Sequence, residues 1–308
     1  MKRLIAVTCL FLASVPVCSA QEKLRIVTTT SDLRSLAKAV GAEQVIVSSL
    51  LPSGESPEEY QPKLQDVDQL KGAKIVIRAA PGVDPWFDKL LARGTVKHNL
   101  PGLSRGEPGY LDASTAVAND PLTISAAFQR SRRASRGGPN PHYWLDPKSA
   151  DAITEKMVAA FSKADPKNAK YYETNRKNFL ARLDGKITEW QERLAPFRNE
   201  PMIAFHDDWS YFANRFRLNI VDYMAARDRA PPKRAKIAEL TKLIKEKGIK
   251  LILAEVNQPE RHANRLAKQT GARVVALAGS VGELPQTDDY ISLFEANVNA
   301  LVAGKNAK

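Results

Sequence analysis

The chain has 308 residues, 44% of them hydrophobic, enough to bury a sizeable core and to divide into two domains. Its formal charge of +12 would suit nucleic acid or an anionic surface, but the aromatics are not interleaved with the basic residues, and an export signal argues against nucleic acid. Both cysteines, Cys9 and Cys18, fall within the first twenty residues, which excludes a disulfide framework for the rest of the chain.

Those twenty residues, MKRLIAVTCLFLASVPVCSA, read as a secretory leader. Lys2 and Arg3 precede an apolar stretch too short to span a membrane stably, and Cys18-Ser19-Ala20 supplies small residues for cleavage. Pro16 and Val17 break the pattern a lipid-anchored cysteine would need. The expectation is a soluble, exported chain starting near Gln21.

LRIVTTT then reads as a strand, with Ser31 or Asp32 capping the helix SDLRSLAKAV. QVIVSSLL is a second strand, and it ends in the acidic loop SGESPEEYQPK, with Glu55, Glu58 and Glu59 around Pro57. LQDVDQLKG reads as helical, AKIVIRAA as a strand and DPWFDKLLARG as a helix. The Arg-rich stretch 130–138 reads as an exposed, low-complexity loop. NPHYWLDP follows, and Asp146-Pro147 opens a helix reaching about Phe161. Asp165-Pro166 opens a longer one, whose apolar residues Leu180, Leu183, Ile187, Trp190, Leu194 and Phe197 step by three and four. From Asp165 to Pro196 it would be on the order of 45 Å long.

The alternation then restarts. PMIAFH, LNIVDYMA, LILAEV and ARVVALAG read as strands separated by helices, and a last helix runs from about Asp289 to Ala303. Strands alternating with helices imply βαβ units. The expected fold class is α/β with two lobes, each a mainly parallel sheet flanked by helices, joined by one long interlobe helix. The expected limits are a leader at 1–20, an N-terminal lobe at 21–164, the linking helix at 165–198 and a C-terminal lobe at 199–308.

The four histidines are His98, His142, His206 and His262. His98 and His262 read as loop and surface residues. His206 ends the strand PMIAF, at the sheet edge where open α/β folds place ligands, and His142 lies just before a helix start among Pro141, Tyr143 and Trp144. Glu58 follows a strand of the first lobe, and Asp288 follows the last strand of the second. If the lobes face each other, two imidazoles and two carboxylates meet, a set that suits a divalent transition metal. Asp207 or Asp208 reads as a cap for the helix that follows. No H-E-x-x-H, G-x-S-x-G or G-x-x-x-x-G-K-[ST] pattern is present.

With these residues in view, the chain resembles the metal-specific solute-binding proteins of zinc and manganese ABC importers, over essentially its whole length after the leader. NPHYWLDP is similar to the family's second ligand motif, AFHDDWSYFANRF to its third and TDDYISLFEANVNALV to its C-terminal segment. The resemblance implies ligands at His142, His206 and Asp288. At the first motif, LLPSGESPEEYQP carries Glu58 where relatives usually carry histidine, leaving Glu58, Glu59 or water to fill that position. A His₂-carboxylate₂ set leans in donor chemistry towards Mn²⁺ or Fe²⁺, while the general affinity order favours Zn²⁺. The resemblance further implies a periplasmic, non-enzymatic monomer that delivers its metal to an ABC permease. A binder of metal chelates or small anions on the same scaffold is the alternative, and a metal-dependent hydrolase with Glu58 or Glu59 as base is a third reading.

Overall fold

The computed structural model describes residues 22–117, 140–225, 231–256 and 260–306. The leader, its cleavage point and the Arg-rich stretch 130–138 lie outside them.

The first half builds one parallel sheet. Strand β1 (Leu24–Thr28) alternates with helix α1 (Ser31–Gly41), then come β2 (Val45–Ser49) and β3 (Ile75–Arg78). Helix α2 (Phe87–His98) leads to a short β4 (Tyr110–Asp112) that the sequence reading did not anticipate. The order is β2-β1-β3-β4, every pairing parallel. Thr30, not Ser31 or Asp32, caps α1, its hydroxyl accepting from Leu33 N at 3.5 Å. The segment Leu64–Leu70 is a 3₁₀ turn. Asp66 accepts from Lys63 N at 2.6 Å and from the Tyr60 hydroxyl at 2.7 Å, drawing the chain tighter than an α-helix.

The next helix, α3 (Ser149–Ala164), starts slightly later than expected, with Lys148 and not Asp146 at its N-cap; Asp146 accepts from Lys148 N at 2.9 Å in the turn ahead of it. The long helix α4 spans Ala169–Arg193, with 3₁₀ turns at Pro166–Asn168 and Ala195–Phe197 at its ends. Its 25 residues amount to about 37 Å. Phe179, Leu183, Ile187 and Trp190 are its buried stripe, and Leu180 is only partly covered.

The second half repeats the pattern with β5 (Pro201–Ala204), α5 (Ser210–Phe216), β6 (Asn219–Tyr223), α6 (Arg234–Lys247), β7 (Leu251–Glu255), α7 (Glu260–Thr270), β8 (Arg273–Leu277) and α8 (Tyr290–Asn306). The order is β6-β5-β7-β8, again all parallel. Parallel sheets need helices on both faces, which explains the wholly apolar reading of LILA in β7.

The largest apolar cluster is shared by both halves. It runs from Leu24 and Ile26 of β1 through Trp190 of α4 to Leu277 of β8 and Phe294 of α8. The Trp190 and Phe294 rings stack at 5.6 Å between centroids. Glu295 fastens α8 to α4, accepting from Trp190 Nε1 at 2.9 Å, Arg193 at 2.5 Å and Lys186 at 3.2 Å. Burial alone would raise its pKa, but these three donors hold it at about 2. Further bonds cross between the halves: Val281 N donates to Asp32 at 3.0 Å, Tyr290 N to Ser35 at 2.9 Å and Trp144 Nε1 to Gly279 O at 2.9 Å. A joint core of this kind opposes a wide hinge between the two sheets. Among the described residues, no helix is long and apolar enough to cross a membrane.

Candidate metal centre

The carboxyl ends of both sheets face a small cavity, and each wall is set by local sequence. The loop after β2 turns at Ser56, where Tyr60 N donates to Ser56 O at 3.0 Å. Trp86 Nε1 donates to Pro57 O at 2.8 Å, and the Tyr60 ring meets Trp86 edge-on at 5.1 Å. Clamped this way, the loop turns Glu58 inward, its side chain 16% exposed, and leaves Glu59 outside.

His142 sits beside Glu58. Asn140 Oδ1 lies 2.9 Å from His142 N and 3.0 Å from its Nδ1. An amide oxygen only accepts, so the proton belongs on Nδ1 and the Nε2 lone pair points into the cavity. Nε2 lies 3.4 Å from Glu58 Oε1 and 3.6 Å from Asp208 Oδ1.

His206 follows β5. Its Nδ1 lies 3.2 Å from Glu255 Oε2, and Trp209 Nε1 donates to the other oxygen of Glu255 at 3.0 Å. A carboxylate also only accepts, so Nδ1 donates and Nε2 carries the lone pair. That Nε2 is buried and has no hydrogen-bond partner. An orphaned buried polar atom is costly unless something binds it. His206, Asp208 and Glu255 are all buried and offer ligand atoms within 4.8 Å of one another.

The cavity is about 30 Å³ and is bounded by Pro57, Glu58, His142, Trp144, Asp208 and Glu255, with Glu283 at its edge. Room for a single small ion is consistent with that volume. Glu283 accepts from Gly279 N at 2.7 Å, and burial pushes its carboxyl up to about 7. Asp32, also buried, is pushed up to about 6.

The structure thus brings Glu58 and His142 to one cavity, sets His206 against it in a cluster with Asp208 and Glu255, and places Asp288 elsewhere. Asp288 is exposed and borders a separate depression with Arg34, Lys38 and Arg182. The reason is the turn after β8. Gly282 takes φ +86°, and its N–H donates to Thr287 O at 2.7 Å, so the loop doubles back. Gly279, Ser280 and Glu283 then face the cavity, and Asp288 leaves on the far side, just ahead of α8.

Two acidic residues of the cavity were missed by the sequence reading. Asp208, expected with Asp207 only as a possible helix cap, lines the cavity from the 3₁₀ turn Asp207–Trp209. Glu255 ends β7 at the same sheet edge as His206, and an acidic residue closing an otherwise apolar strand was the available signal.

Two parallel-sheet lobes around a long helix, with a buried imidazole and carboxylate cluster where their strand ends meet, define a solute-binding protein with a site of single-ion size. The comparisons with known proteins agree. Residues 26–304 match the family model ZnuA, described as zinc-uptake complex component A, periplasmic, and the chain belongs to that family. It is 23% identical to the metal ABC transporter substrate-binding lipoprotein SloC of Streptococcus mutans, covering 98% of this chain and 97% of the relative. It is 24% identical to the zinc-binding protein AdcA of Streptococcus pyogenes, covering 93% of this chain but 58% of that longer protein. A crystal structure of ZnuA superposes with a TM-score of 0.75 at 20% identity, over 92% of this chain and 99% of the other.

Proposed function

We propose that the chain is the exported metal-binding component of an ABC importer, which captures one divalent transition metal, Zn²⁺ or Mn²⁺, and delivers it to a membrane permease. The observation that carries this reading is the unpartnered, buried Nε2 of His206, in a cluster with the buried carboxylates of Asp208 and Glu255. Family membership and the names of the relatives support the same role.

In this reading Glu58, His142, His206 and Asp208 are the candidate donors, Glu255 orients His206 from behind through Nδ1, and Asp288 has no part in the primary set. Both histidines have their outer nitrogen fixed by an acceptor, so each meets the metal with a preset lone pair. Glu58, on the most exposed wall, is the natural point of entry and release. The chain acts as a monomer after loss of its leader and catalyses nothing: a carboxylate engaged as a ligand is not available as a base. The chelate or anion alternative is disfavoured by the cavity's volume and by the lack of any Lys or Arg among its described lining residues.

The test is equilibrium dialysis of the purified chain, after chelator treatment, against Zn²⁺ and Mn²⁺. One ion per chain, lost in His206→Ala, supports the proposal; no stoichiometric ion refutes it.

A further inference from the structure

We infer that the outer face of the second lobe, formed by α6 and α7, is a docking surface for an anionic lipid bilayer. The inference goes beyond metal capture and does not depend on it.

The fold turns this face to solvent. Along β5 and β7 the side chains alternate: Met202, Leu251 and Leu253 enter the core shared by the two lobes, while Ile203 and Ile252 enter a separate cluster on the other side of the sheet. Leu240 and Ile244 of α6, with Ala263 and Leu266 of α7, close that second cluster. Both helices therefore cover the side of the sheet away from the first lobe, and their remaining surfaces point outward. Arg234, Lys242 and Lys245 form an exposed row along α6, and Arg261, Arg265 and Lys268 form another along α7. The two helices pack against each other, and packed helix axes lie about 8–10 Å apart, so the rows run side by side.

The charge of this face is one-sided. Residues 233–250 and 260–270 carry ten lysines and arginines against three glutamates, whereas the whole chain carries 46 against 34. Among the described residues, Lys236 and Lys242 are the two of those ten that form ion pairs. The long helix α4 shows what an ordinary solvated face looks like. It has six cations against four acids, and Arg176, Lys177, Lys186 and Arg193 are all paired. Like charges gathered without counter-charges repel one another, and a negative surface laid against them relieves that cost.

The chemistry favours a bilayer over a protein partner. The exposed large apolar residues among those described are Ile46, Leu64, Val96 and Tyr171, and none lies on α6 or α7. The face therefore lacks the desolvated anchor that centres a specific protein interface. A broad lysine-rich surface without an anchor suits the diffuse negative potential of anionic lipid headgroups. No described lining residue of the metal cavity belongs to either helix, so docking leaves the cavity open.

The test is co-sedimentation of the full mature chain with vesicles of phosphatidylglycerol and phosphatidylcholine, and with phosphatidylcholine alone. The main variant combines Arg234→Gln, Lys245→Gln, Arg265→Gln and Lys268→Gln; urea unfolding checks its fold and Zn²⁺ titration its metal site. A control removes as many charges from the Arg-rich stretch, through Arg130→Gln, Arg132→Gln, Arg133→Gln and Arg136→Gln. The expected result is binding to the anionic vesicles alone, weakening as salt rises. Each charge removed from the face should cost about fivefold, so the main variant should lose on the order of 100-fold, with metal affinity unchanged and a much smaller loss in the control. The single variants Lys245→Gln and Arg265→Gln, at about fivefold each, decide the matter if the fourfold variant folds poorly. Equal losses in main variant and control would mean that net charge alone is read, and would overturn the assignment to this face. No binding to anionic vesicles, equal binding to neutral ones, or binding to soluble polyglutamate in place of vesicles would overturn the bilayer as partner.

Discussion

Replacing Glu255 by glutamine should make the metal-free chain more stable while weakening its hold on metal. Glu255 and Asp208 offer oxygens within 4.8 Å of each other in a buried site. At an effective dielectric of about 20, two such charges repel by roughly 3 kcal/mol. His206 and Trp209 offset part of this through their bonds to Glu255, and the amide forms a weaker bond to Trp209. The net gain should therefore be nearer 1 kcal/mol. Metal binding changes in the opposite direction, for two reasons. One negative charge is lost, and the amide also changes the histidine. If Gln Oε1 accepts from Trp209, its NH₂ faces His206 Nδ1, which must then accept; the proton moves to Nε2 and covers the lone pair facing the cavity. A loss of about 10- to 100-fold in affinity is expected. Urea unfolding in the presence of chelator gives the first quantity, and metal titration gives the second. If E255Q is less stable without metal and binds metal unchanged, Glu255 is only a structural acceptor for Trp209 and the reasoning fails.

Three further outcomes follow from groups around the site and between α4 and α8. The Glu283 carboxyl is raised from 4.5 to about 7 by burial, so the folded chain holds its proton longer than the unfolded one. Its contribution therefore declines as pH rises from about 4.5 through 7, and Glu283→Gln should flatten that part of the stability–pH curve of the metal-free chain measured by urea unfolding. Glu295 is depressed to about 2, so its contribution is full above 4.5 and is lost as pH falls towards 2. Glu295→Gln should cost on the order of 1 kcal/mol at pH 7 and nothing near pH 2, as read from acid and thermal unfolding. Trp86→Phe removes the N–H that holds Pro57 O together with part of the ring packed on Tyr60, and should weaken metal binding about tenfold while costing about 1–3 kcal/mol of fold stability. Unchanged metal binding would show that this clamp does not position Glu58.

Much of the fold was legible because its signals are local. Apolar strands closed by Gly or Pro, and a long helix with a three-four stripe, read correctly from β1 to α8. His142 and His206 could be placed together because one precedes a helix start and the other follows closely on a strand, where side-chain position hardly depends on loop path; Glu58 lies well beyond β2, and its inward turn depends on the Trp86 clamp. Asp288 failed that condition. It lies at the end of a loop whose reversal at Gly282 is a tertiary feature, fixed in part by Val281 donating to Asp32 of the other lobe. Asp208 was hidden by a competing role, since aspartate just before a helix is read as a cap. Glu255 was hidden inside an otherwise apolar strand, where a single carboxylate does not disturb the pattern. β4 is only three residues long, too short for any periodicity.

The central claim is that one metal ion binds between the two lobes at His142 and His206. Anomalous diffraction at the metal absorption edge, on crystals of the loaded chain, tests it most directly. The account predicts one strong peak within bonding distance of both Nε2 atoms, with Glu58 and Asp208 oxygens around it and none at Asp288. A peak beside Asp288, or none within reach of His206, would contradict it.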